Sequence, residues 1–115
     1  MIAVDSSDPT PPFEQIRRQL IDEIRGGNVE AGSKLPSVRQ LAGDLSLAPG
    51  TVARAYSALE EEGLVETSKS GTRVRSNQIL PEEVRNAAGR FVRAVPAASL
   101  EDALRAVRAE WNYRS

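Results

Sequence analysis

Ser37-Val38-Arg39-Gln40-Leu41-Ala42-Gly43-Asp44-Leu45, then Ser46-Leu47-Ala48, then Pro49-Gly50-Thr51-Val52-Ala53-Arg54-Ala55-Tyr56-Ser57-Ala58-Leu59: the first and last of these runs carry apolar residues at helical spacing, and a three-residue break separates them. Val38, Leu41, Ala42 and Leu45 share one face of the first. Ser37 and Gln40 have the spacing of a capping box, in which each side chain satisfies an amide the helix leaves unpaired. Val52, Ala55, Tyr56 and Leu59 form the corresponding stripe in the second, after a proline whose missing N–H costs nothing in a first helical turn. Gly63 closes it. Two short helices joined by so tight a turn make a helix-turn-helix, over about residues 38–57.

The flanking sequence supplies a third helix and a hairpin. Upstream, Thr10 can cap a helix that tolerates Pro11 and Pro12, and Phe13, Ile16, Leu20, Ile21 and Ile24 form its apolar face until Gly26-Gly27 stops it. Residues 1–10, rich in Asp, Ser, Thr and Pro without an apolar period, are expected to be a flexible arm. Ala31 to Pro36 reads as a turn with a short extended piece. Downstream, Leu64-Val65-Glu66-Thr67 and Thr72-Arg73-Val74-Arg75 are strand-like runs around Ser68-Lys69-Ser70-Gly71, a hairpin or wing over about 64–75. A fourth helix starts at Pro81-Glu82-Glu83 and carries Val84, Ala87, Ala88, Phe91, Val92 and Val95 before Pro96. Ser99 opens a fifth, with Leu100, Ala103, Leu104, Val107 and Trp111 on one side. The predicted fold is mainly α with a small β-wing: a winged helix-turn-helix over 11–76 followed by two C-terminal helices in a tail over 77–115.

Composition narrows the chemistry. The chain has 115 residues, 40% apolar, with no cysteine and no histidine. That excludes disulfides, zinc held by thiolate or imidazole, and nucleophile pairs that use a histidine base. Adjacent acids at Glu82-Glu83 and Glu101-Asp102 sit at helix starts, where the helix dipole favours them, so they do not indicate a catalytic pair. No enzymatic activity and no cofactor are expected. No segment approaches the ~20 apolar residues of a membrane span, and the expected compartment is the cytoplasm. Aromatics are only 4%, too few for a platform on which single-stranded bases stack. The net charge of −1 argues against broad phosphate binding. Its distribution does not: residues 33–59 hold three bases against one acid, and residues 67–76 hold three bases against none.

The linked motifs Lys34-Leu35-Pro36-Ser37-x-Arg39-x-Leu41-Ala42, Thr51-Val52-x-x-Ala55-Tyr56-x-x-Leu59-Glu60-x-x-Gly63-Leu64 and Ser70-Gly71-Thr72 resemble the GntR family of bacterial regulators over residues 11–76. The small size and Thr-Val-x-x-Ala-Tyr look most like its YtrA subfamily. The resemblance implies a DNA-binding transcription regulator, by default a repressor, that sits on a palindromic operator as a homodimer joined through its C-terminal helices. Larger subfamilies carry effector or aminotransferase-like domains that the residues after the wing cannot form. A small-molecule effector, if one acts, is expected at the dimer interface or between winged domain and tail.

Packing the Val52 stripe inward turns Gly50, Arg54, Ser57 and Glu61 outward with Thr51 and Ala53 beside them, and Arg54 is the natural bidentate reader of guanine on that face. The resemblance adds Arg39 and Lys34 as DNA contacts; the plain alternative for Arg39 is a surface ion pair with Asp44. Thr51 can hold a phosphate or cap its helix. In the wing, Lys69, Ser70 and Gly71 can meet the minor groove or a phosphate, whereas Arg73 and Arg75 share a face that either joins them or looks sideways. Two departures weaken the resemblance. Ala48-Pro49-Gly50 stands where this subtype often has Asn-Pro-Asn, and Arg73 stands where an aromatic commonly follows Gly-Thr. Ala48, Gly50 and the net charge leave open a second reading, a winged-helix protein-interaction module that no longer binds DNA. In the tail, Val84, Phe91, Leu100, Leu104, Val107 and Trp111 are the expected dimerisation residues, because a lone chain would leave them exposed.

Overall fold

The structure is a computed structural model, and it describes residues 2–96 and 99–114. In chain order the elements are α1 (Pro12–Arg25), α2 (Val38–Leu45), α3 (Pro49–Glu61), β1 (Val65–Ser68), β2 (Gly71–Val74), α4 (Glu82–Ala94) and α5 (Leu100–Arg114). They fall into two compact units divided between Leu80 and Pro81. The first is the winged helix-turn-helix.

Its core is built from the predicted stripes. Ile16, Leu20 and Ile24 of α1, Leu41 and Ala42 of α2, and Val52, Ala55, Tyr56 and Leu59 of α3 are buried together with Leu35, Leu64, Val65 and Val74. Ser37 caps α2, its Oγ accepting the Gln40 N–H at 3.1 Å. Ser46 ends α2 in the left-handed region, φ +56°, and the Leu47 N–H reaches back to the Ala42 carbonyl at 2.9 Å. This closing geometry, usually given to glycine, turns the chain sharply into α3. Tyr56 combines an apolar ring with a polar anchor: its hydroxyl donates to the Pro36 carbonyl at 2.7 Å, tying α3 to the loop ahead of α2. Burial of that hydroxyl pushes its pKa up to about 12.

The hairpin is antiparallel, with Val65 opposite Val74 and Ser68 opposite Gly71. The extended piece before α2 is a third strand in all but length. Gly32 N–H donates to Val74 O, Val74 N–H to Ser33 O and Leu35 N–H to Thr72 O, at 2.8, 2.9 and 2.8 Å. β2 is therefore paired on both edges.

Three expectations need correction. Residues 2–10 are not a flexible arm: the side-chain amide of Gln15 accepts from Asp5 N–H and donates to the Asp5 and Thr10 carbonyls, while Gln19 exchanges two bonds with Ala3. Ile2 and Val4 pack against the core. Two glutamines one helical turn apart thus meet alternate residues of an extended segment, and the polarity that suggested solvation is satisfied by pairing instead. Thr10 does not cap α1; the helix starts after Pro11 with no side-chain cap. Val95 is not on the α4 face but extended, ψ 142°, because Pro96 disfavours helical backbone in the residue before it.

The second unit holds α4 and α5. Ser99 accepts the Asp102 N–H at 3.2 Å, as a cap should. Neither helix buries a side chain fully.

α1 and α3 are also joined by charge. Arg17 pairs with Glu14 on its own helix and, at 2.9 Å, with Glu62 just past the end of α3; Arg18 also pairs with Glu14. The hydrogen bond from Arg17, reinforced by the charges of Arg17 and Arg18, holds the Glu14 carboxyl down to about 2 from its ordinary 4.5. A carboxylate with a depressed folded-state pKa stabilises the fold fully above its unfolded value and progressively less as pH falls through the folded one. Urea unfolding should therefore show wild type more stable than Glu14→Gln near neutrality, with the gap closing between pH 4.5 and about 2. A gap that stays constant over that interval would mean the cluster contributes nothing.

Candidate nucleic-acid interface

α3 buries one side and bares the other. Val52, Ala55 and Leu59 have no exposed surface, whereas Gly50, Arg54, Ser57 and Glu61 are exposed and Thr51 and Ala53 are half-buried between them. The N-terminus of the helix is uncapped by any side chain: Ala48 is the capping residue and Pro49 has no N–H. The capping alternative for Thr51 is not realised, although its N–H bonds the Ala48 carbonyl at 3.0 Å. A Cβ on Gly50 would meet nothing within 4 Å, so the fold places no demand on glycine there.

Arg54 is outward, as the stripe predicts, and its guanidinium lies 3.7 Å from the centre of the Phe13 ring. That contact was not legible from spacing, which gives Phe13 only to the α1 core face. Arg39 is exposed in the first turn of α2, and among the described residues neither it nor Asp44 is in an ion pair.

The wing brings Lys34 to its tip. Gly71 has φ +116°, and a Cβ there would lie 2.5 Å from Lys34 Cε, so the lysine stem runs directly over the glycine. Lys34, distant in sequence from Lys69 and Ser70, therefore shares their end of the hairpin. Ser70 is drawn into the turn by Ser68, the two hydroxyls 2.9 Å apart, and Lys69 is exposed. Arg73 takes the sideways alternative: its Nη1 donates to the Gly32 carbonyl at 3.1 Å, and across the ladder it faces Glu66. The guanidinium is committed to the neighbouring loop.

Two of the three acids in Glu60-Glu61-Glu62 are similarly occupied. Glu60 accepts the Thr67 N–H at 3.0 Å and Glu62 accepts from Arg17, so this run fastens the end of α3 to β1 and α1.

The six tail residues lie on α4 and α5, five of them exposed and Phe91 half-buried: Leu100 retains 74% of its surface, Trp111 63% and Val84 49%. Among the described residues no three acidic side chains gather as a metal site would need, and no helix is long and apolar enough to cross a membrane.

A helix with a bare outer face, held by a short partner helix and flanked by a hairpin with cations at its tip, defines a winged helix-turn-helix protein. The family model described as bacterial regulatory proteins, gntR family, matches residues 12–74. The chain belongs to that family. It is 48% identical over 66 residues to HTH-type transcriptional regulator Rv1152 of Mycobacterium tuberculosis, covering 57% of this chain and 54% of that protein. It is 42% identical over 78 residues to HTH-type transcriptional repressor YtrA of Bacillus subtilis, covering 67% and 60%. The match thus spans only somewhat more than half the length of these curated relatives. The solved structure of YtrA from Sulfolobus acidocaldarius, a GntR-family transcription factor, superposes with a TM-score of 0.64 at 33% identity, over 81% of this chain and 98% of that one. These relatives are transcriptional regulators rather than enzymes.

The two glycines of the interface should respond oppositely to the same change. Gly71→Ala forces a Cβ into a left-handed backbone and against Lys34, and should cost about 1–2 kcal/mol in urea unfolding. Gly50→Ala, open and at an ordinary φ, should cost nothing measurable. Equal losses at both sites would contradict the placement of Lys34 over the wing.

Proposed function

We propose that the protein binds double-stranded operator DNA as a homodimer and represses transcription, in the cytoplasm where that DNA is found. The observation that carries this reading is the bare outer face of α3 presenting Arg54, with Arg39 exposed on α2 and Lys34 and Lys69 exposed at the wing. Among the described residues none of these four cations is in an ion pair, whereas Arg17 and Arg18 are consumed by Glu14 and Glu62. An arginine with free N–H groups on a groove-sized helix suits bidentate contact with guanine; Arg39, Lys34 and Lys69 suit phosphates. Gly50 and Thr51 let the backbone at the helix start approach closely, and the positive end of the helix dipole favours a phosphate there. Ser57 and Ala53 supply a weak hydroxyl and a methyl contact, and Ser70 with Gly71 lets the wing tip lie against a groove. Arg73 is the weakest member of this set, because its guanidinium already serves Gly32.

The homodimer is supported by the tail. Val84, Leu100, Leu104, Val107 and Trp111 are exposed on two helices and, with Phe91, line a groove that is almost wholly apolar. A two-fold pairing of this face buries it and presents two copies of α3 to a palindrome. The similarity to a transcriptional repressor of the same family supports the sign of regulation.

Duplex DNA from the promoter of the protein's own gene provides the test by fluorescence anisotropy. With two sets of three phosphate-facing cations, binding should weaken by about three orders of magnitude between roughly 50 and 200 mM salt. Arg54→Ala should cost about 10- to 100-fold on that site, and Arg39→Ala should lower affinity for all sequences alike. Wild type and both variants binding equally at low salt would sink the DNA reading in favour of a protein-interaction module. Leu104→Glu, placing a charge on the tail face, should convert dimer to monomer in sedimentation velocity while leaving the melting of the winged unit unchanged. A wild-type chain that sediments as a monomer at tens of micromolar would rule out the tail as a dimer interface.

A further inference from the structure

The side of Arg54 that faces the protein rests on an aromatic ring rather than an acid. Its guanidinium stands 3.7 Å from the centroid of Phe13, and among the described residues it makes no hydrogen bond or ion pair with a protein group. The ring is itself held: Phe13 is half-buried and packs against the core, and one turn on, Arg17 braces α1 to the end of α3 through Glu62 at 2.9 Å. α1 therefore delivers an anchored flat surface to the bare side of α3.

Stacking has a specific consequence for a guanidinium. The planar cation is poorly hydrated on its faces and donates only from its edge, so a ring beneath one face orders it without using a single N–H. An acid in the same place would occupy the donors that a base needs. An unsupported arginine on an exposed helix samples many rotamers, and ordering it on binding lowers affinity by an amount of order tenfold. We propose that Phe13 is a positioning residue for base readout: its ring holds Arg54 with one face covered and its donor edge free before DNA arrives. This rests on the DNA-binding reading above, and it makes an α1 residue outside the helix-turn-helix a determinant of sequence discrimination. Phe13 touches no base; it acts through Arg54.

The experiment has one arm that needs no DNA. In the free wild-type protein, the Arg54 side-chain protons should show upfield ring-current shifts in carbon-proton correlation spectra, kept in Phe13→Tyr and lost in Phe13→Leu. Unshifted Arg54 signals in wild type overturn the proposal, whatever the variants do. The second arm selects a preferred duplex from a randomised library with the wild-type chain and compares it with a scrambled duplex. Phe13→Leu should bind the selected duplex about tenfold more weakly and the scrambled one within twofold of wild type, and Phe13→Tyr should restore discrimination. Phe13→Leu/Arg54→Ala should bind no more weakly than Arg54→Ala alone, because the ring has nothing left to position. Penalties that add, or a Phe13→Leu chain that discriminates as wild type does, overturn the positioning role while leaving DNA binding intact. A wild-type chain that selects no sequence removes the DNA reading and the proposal with it.

Discussion

The burial of Val52, Ala55, Tyr56 and Leu59 on one side of α3 is the constraint from which the rest follows. These side chains occupy the middle of the core, with α1 and α2 packed on them, and their burial by itself obliges the opposite side of a single helix to face outward. Short helices have little stability of their own, so α3 keeps its form because its inner stripe is paid for by tertiary packing. The outer side contributes no buried side chain: Gly50, Arg54 and Ser57 are exposed there, and Arg54 meets the fold through the Phe13 ring.

The supporting contacts gather around the two ends of that helix. Ahead of its start, Ser46 turns the chain in a left-handed conformation, and from its middle Tyr56 reaches the Pro36 carbonyl, fixing α2 and the preceding loop against α3. At its end, Glu60 and Glu62 fasten it to β1 and α1. These acids explain how a chain of net charge −1 can carry a cationic face. Part of its negative charge is taken up internally by Arg17 and by a backbone amide, while among the described residues Lys34, Arg39, Arg54 and Lys69 are in no ion pair. Net charge is therefore a poor guide here, since it sums groups that cancel inside the fold with groups that do not.

The wing has the same division of labour. Its inner residues Val65 and Val74 close the core, and its β2 strand is sealed on the second edge by residues 32–35. Sealing that edge removes a pairing surface that would otherwise invite another chain. It also carries Lys34 across Gly71, which accounts for glycine there more fully than the turn alone does: φ is +116° and the space above the Cα is already taken.

Local signals in the sequence determined the helices of the winged unit, the Ser37 cap, the hairpin, the inward stripes and the outward position of Arg54. Each of these depends on residues within a few positions of one another, where periodicity, capping and turn preference act directly. Tertiary structure alone decided that the arm lies along Gln15 and Gln19, that residues 32–35 complete the sheet, that Arg73 turns to Gly32 and that Phe13 lies beneath Arg54. Most of those contacts join residues 10 to 42 positions apart, as the Asp5 to Gln15 and Gly32 to Val74 bonds do. No spacing rule links such positions; only the packing of α1 on α3 and of the loop on β2 brings them within bonding distance. The outward direction of Arg54 was thus legible from the α3 stripe, but the surface that holds its guanidinium was not.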